Sequence, residues 1–203
     1  MLENEYALLL RSYPQLRLPL SAQTSSSAEY ADAVLGGQLS KGTPCVPFCR
    51  EDSFWEEKTA VGAVRIWRLA YRENFEHALQ ALAYRCDPRE IPESVGAQYI
   101  GGLINWERIR RHEREYIASG GEDWKTEFRR FTQKRENYTD SLILLSSGFY
   151  SGISPEKAGM SPELWEKASA VIRRYHELTH FVYRKCCPGD VDVIRDEVLA
   201  DCV

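Results

Sequence analysis

Two punctuation marks bracket the segment that most constrains this chain. Ser161-Pro162-Glu163 is a helix start. The serine can cap, the proline suits a first position that needs no N–H, and the glutamate faces the positive end of the dipole. Pro188-Gly189 is a stop signal. Between them the pattern predicts one long helix, running to about Lys185. On its wheel Leu164, Ala168, Val171, Tyr175, Leu178 and Val182 make a broad apolar arc. His176 and His180 fall at the edge of that arc, beside Ile172 and Tyr183. Glu177 lies further toward the polar side, with Arg173 and Arg184. A last helix is expected to begin near Asp190 and to be still in progress at Val203.

The long helix carries His176-Glu177-Leu178-Thr179-His180, an HExxH motif. Residues four apart share one helical face, so both imidazoles can reach a single ion at about 2.0–2.1 Å. Glu177 is rotated by roughly 100° from His176. It cannot share the ligand face, but it can flank the ion and take a proton from water there. The expectation is therefore zinc bound by His176 and His180, with Glu177 as general base. The chain has 4 histidines. The other two, His77 and His112, sit on helical patterns elsewhere and read as structural.

A second run follows the motif: Asp196-Glu197-Val198-Leu199-Ala200-Asp201. HExxH followed on the next helix by Glu-x-x-x-Asp resembles the zincin metallopeptidases of the thermolysin-like group. The resemblance covers about residues 161–203. It implies Glu197 as third metal ligand and Asp201 as a residue that orients a ligand histidine through its second nitrogen. Asp192, Asp196 and Asp201 are weaker ligand candidates. It also implies a zinc-activated water, general-base help from Glu177, and peptide-bond hydrolysis. The substrate would be a peptide or protein, and zincins commonly bind it along a strand edge. A group that stabilises the oxyanion is expected from upstream, with Arg173, Tyr183 and His112 as candidates. The alternative is a non-catalytic helical binding or regulatory protein with a structural or vestigial zinc site.

The rest of the chain reads as mainly α: a single helical domain with at most a small β-sheet near residues 95–100 or 142–150. Residues 1–50 form a helix and a loop-rich segment, and residues 51–203 the helical domain. Over residues 53–85 the three- and four-residue spacing of Ala60, Val64, Trp67, Tyr71, Phe75, Leu79 and Leu82 predicts a helix, ended by Asp87-Pro88. Asn105 can cap a helix through Trp106, Ile109 and Tyr116 that stops near Gly120-Gly121. Another helix is expected over residues 124–145.

Composition matters mainly for what it excludes. The net charge is −4, with acids interleaved among the arginines at 108, 110 and 111, so no nucleic-acid partner is expected. No apolar run approaches the roughly 20 residues of a membrane span. The N-terminus lacks the basic start and apolar stretch of a secretory signal, which points to the cytoplasm. The 6 cysteines then default to thiols. Cys45 and Cys49 lack the second pair that a zinc knuckle needs.

Overall fold

The computed structural model describes residues 2–189 and 192–202. Among the described residues it is a mixed α/β structure, which corrects the expectation of a mainly α chain. A four-stranded mixed sheet is formed by β1 (Ser53–Thr59), β2 (Gly62–Leu69), β3 (Ala97–Ile104) and β4 (Thr139–Ser146), in the order β1-β2-β4-β3. β1 and β2 form an antiparallel hairpin, from Ser53 opposite Arg68 to Thr59 opposite Gly62. β2 and β4 run parallel, from Arg65 opposite Leu142 to Leu69 opposite Ser146. The Ser146 N–H bonds the Gly96 carbonyl at 2.8 Å. The end of β4 thus meets the start of β3, and that pair is antiparallel.

The physical reason for the correction lies in burial. Val64, Ile66, Trp67 and Leu69 of β2 are all buried, as are Leu142, Ile143, Leu144 and Leu145 of β4. An inner strand covered on both faces loses the two-residue alternation that identifies a half-exposed strand. Its apolar run then matches a helical template by chance. The expected helix over 53–85 is the β1–β2 hairpin followed by α3 (Arg72–Leu82), and the one over 124–145 is α5 (Trp124–Phe131), α6 (Arg135–Tyr138) and β4.

Contacts within the chain divide into two compact units. One contains Met1–Phe48, Gln80–Pro88 and Gly101–Asp140. It is built on α1 (Leu2–Ser12), α2 (Ala28–Val34), α4 (Trp106–Ala118), α5 and α6. The Asn105 side chain caps α4, accepting from the Arg108 N–H at 2.9 Å, as its sequence position predicts. The Trp106 indole donates to the Val34 carbonyl at 3.0 Å. Gly37 lies against that ring with φ +68°, where a Cβ would stand 2.2 Å from the indole. Only glycine fits both the conformation and the space.

The other unit contains Cys49–Leu79, Arg89–Ile100 and Ser141–Val203. Its core joins Val64, Ile66, Tyr99, Ile143 and Leu145 of the strands to Leu178 and Phe181 of α8 (Pro162–Cys186), which follows the short α7 (Pro155–Ala158). The Tyr99 and Phe181 rings lie 6.0 Å apart. The HExxH helix is thus packed on the sheet by Leu178 and Phe181, the residues that follow Glu177 and His180.

Candidate metal centre

α8 starts where its sequence predicts. Ser161 caps it, accepting from the Leu164 N–H, and Pro162 takes the first turn. It ends at Cys186, before Pro188. The next helix, α9 (Val193–Ala200), is capped by Asp192, whose carboxylate accepts from the N–H groups of Ile194 and Arg195 at 3.0 and 3.2 Å. The expected start at Asp190 and end at Val203 lie outside the described residues. α8 and α9 pack on one another.

That packing brings three donor atoms together. The Nε2 atoms of His176 and His180 are 3.1 Å apart. Oε2 of Glu197, from α9, lies 3.8 Å from the first and 3.7 Å from the second. Ligands at about 2.05 Å in a tetrahedral zinc site would be roughly 3.3 Å from one another. The three separations bracket that value.

Behind each imidazole stands a carboxylate. His180 Nδ1 is 2.7 Å from Oδ1 of Asp196, and the Asp196 side chain is only 2% exposed. Arg184 Nε donates to the other oxygen of Asp196 at 3.2 Å. His176 Nδ1 is 3.3 Å from Oδ1 of Asp201, whose side chain is 67% exposed. An ionised carboxylate can only accept, so a proton on each Nδ1 satisfies it and leaves Nε2 turned toward the focus. The two Nε2 atoms stand 3.1 Å apart, close enough to share one proton or one cation. With Glu197 they form a donor set that fits a divalent metal, each imidazole backed by a carboxylate.

Glu177 points elsewhere. Its carboxylate accepts a hydrogen bond from the Tyr99 backbone N–H on β3. Tyr99 lies on an edge strand, and its N–H turns toward α8. Burial, assisted by the nearby Glu197 and Asp196 carboxylates, pushes the Glu177 carboxyl up to about 7, while His180 and the Tyr99 N–H act in the opposite direction. In the metal-free protein this sets a pH dependence. The folded chain holds the Glu177 proton above the ordinary value of 4.5, so its contribution is fully present below that pH. It is lost as pH rises through about 7. Urea unfolding of the metal-free protein across this range is expected to show the decline, and Glu177→Gln to flatten it relative to wild type.

A cavity of about 230 Å³ opens onto these groups, lined among others by Gly96, Gln98, Tyr150, Arg173, His176 and Glu197. The inward side of α8 differs from the expected one. Leu164, Val171 and Tyr175, from the apolar arc, are exposed, whereas Arg173, Glu177 and His180 are buried. Polar groups occupy the buried side because the centre and its cavity lie there. Of the three oxyanion candidates, Arg173 lines the cavity. Tyr183 is buried on α8, with the Arg195 guanidinium over its ring. His112 belongs to the other unit, where it bonds Glu127 at 2.7 Å and stacks on Phe131. By spacing alone Asp196 is only a weak ligand candidate. Its buried position behind His180 comes from the angle between two helices, which spacing does not record.

Fold and centre together define an α/β chain with two histidines and a glutamate converging beside a sheet edge. The chain belongs to the family of unknown function DUF7005, whose match covers residues 2–203. No curated protein and no solved structure matches it.

Proposed function

We propose that this protein is a zinc-dependent metallopeptidase that resembles the zincins of the thermolysin-like group. The observation that carries the reading is the convergence of His176 Nε2, His180 Nε2 and Glu197 Oε2, with a carboxylate behind each histidine. Zinc held by two histidines and one carboxylate keeps a position for water and lowers the pKa of that water toward about 7. Asp196 and Asp201 keep the imidazoles aimed and basic. Glu177 adjoins the ligand face without joining it and acts as the general base, holding a proton for the leaving amine. A carboxyl poised at about 7 suits both halves of that task, and a bound cation would draw it lower.

The edge strand β3 supports a peptide or protein substrate, because residues 94–98 line the cavity where an extended chain could be added. Among the described residues no helix is long and apolar enough to cross a membrane. All six cysteines are free thiols, and a cytoplasmic setting would keep them so. A zinc site that serves structure alone is the second reading, favoured by the bond that ties Glu177 to β3.

Metal analysis of protein never exposed to chelator is expected to find about one zinc per chain. Cleavage of a mixed peptide pool should stop on chelation and return with zinc. Cleavage indifferent to chelator would overturn the zinc mechanism. Protein that neither holds nor takes up zinc would overturn the centre itself.

A further inference from the structure

Arg173 sits one helical turn before His176 and lines the same cavity. It is only 4% exposed. Its acceptors are three backbone carbonyls: Nη1 donates to Ser146 at 3.3 Å and to Gly148 at 2.8 Å, and Nη2 donates to Phe149. These bonds brace the loop that leads from β4 to Tyr150 and Ser151 at the cavity wall. Among the described residues no carboxylate pairs with this guanidinium. Buried cations in proteins are ordinarily paired. Here the charged neighbours deepen the deficit: burial, then Arg72 and Arg68, hold the Arg173 pKa below the ordinary arginine value.

The donor inventory points the same way. A guanidinium has five N–H donors, and the carbonyls take three. One donor is left on Nε, which is buried without a partner, and one on Nη2. A planar carboxylate is the group that takes two such donors at once. Gly96 lies on this part of the guanidinium, and a Cβ there would stand 2.4 Å from Nε and 2.8 Å from Nη2. Any side chain at 96 would displace the group. Ser151, on the same cavity wall, holds φ +51°, a strained conformation for a non-glycine residue.

We propose that Arg173 makes one end of the metal-site cavity a carboxylate subsite, so that the substrate is a peptide carrying an anionic group close to the bond held at the metal. The proposal rests on the peptidase reading of the centre. Three helical residues separate Arg173 from His176, about 4.5 Å along the axis. With an extended chain advancing about 3.3 Å per residue, the anionic group falls one or two residues from the bond that is cut. It is either the C-terminal carboxylate or an acidic side chain.

The test is calorimetric binding to the full chain, first metal-free, where no ion competes for the carboxylate. The probes are acetyl-dialanine as free acid, the same peptide as C-terminal amide, and an amidated acetyl-dipeptide ending in aspartate. The neutral amide is expected to bind at least about tenfold more weakly than one of the two acids, the difference that charge-assisted bonds ordinarily make. The tighter acid tells whether the terminus or a side chain supplies the carboxylate. Gly96→Ala and Arg173→Lys, each checked for folding by circular dichroism, are expected to erase the preference. Equal affinity for all three probes, no measurable binding of any, or a preference that survives both variants would overturn the subsite. Carboxylate preference in a protein that takes up no zinc would remove the peptidase reading and leave only the carboxylate subsite standing. Zinc-dependent cleavage without the preference would do the reverse.

Discussion

Glu177→Gln is expected to leave about one zinc per chain and to lower peptide cleavage by about 10²–10⁴-fold. The substitution keeps size and shape. The amide oxygen of glutamine can still accept from the Tyr99 N–H, so the tie between α8 and β3 survives. His176, His180 and Glu197 keep their donor atoms, and the metal should stay. What is lost is the ability to accept a proton. Zinc content by mass spectrometry and initial rates on a cleaved peptide separate the two effects. A variant that cleaves as well as wild type would remove Glu177 from the chemistry. Retained zinc with no cleavage in either protein would favour a structural site.

Asp196→Ala is expected to weaken zinc binding by about 10–100-fold. Asp196 accepts from His180 Nδ1 at 2.7 Å and from Arg184 at 3.2 Å, with its own side chain almost fully buried. Without it the His180 ring loses both its orientation and the acceptor for its Nδ1. Stability of the metal-free protein should fall too, by about 1–3 kcal/mol. That is less than a fully buried pair would lose, because Arg184 is half exposed and can recover water. Asp201→Ala is the comparison. Its carboxylate is largely exposed and stands 3.3 Å from His176, so a change of only a few-fold is expected. Competition with a chromogenic chelator measures both variants. Equal losses at the two positions would show that burial of the outer carboxylate is irrelevant to the centre.

These residues also show what a linear reading can reach. The ends of α8 and the start of α4 were legible because caps are local: a serine or asparagine accepts from an N–H three residues on. The approach of His176 and His180 was legible because helical spacing alone puts them on one face. The sheet was not. β4 carries a continuous apolar run, Leu142 to Leu145, and β2 buries the neighbours Ile66 and Trp67 together, so neither shows the alternation that marks a half-exposed strand. The wheel of α8 misled in the opposite sense. It assumes that polar residues face water, yet Arg173 and Glu177 face the interior, because the cavity and the Tyr99 N–H are there. Asp196 and Glu197 are neighbours in sequence with different tasks, one behind a histidine and one at the focus. Only the docking of α9 on α8 assigns them.

α9 has 8 residues, below the length at which a helix persists alone in water. Only Asp196 and Ala200 of it are buried, while Val193, Ile194, Val198 and Leu199 stay in solvent. Little apolar burial therefore holds this helix in place, and much of its attachment is polar, through Asp196 to His180 and Arg184. An ion shared by Glu197 and the two histidines would rivet the helix down. Without that ion the helix is held mainly by the Asp196 bonds to α8.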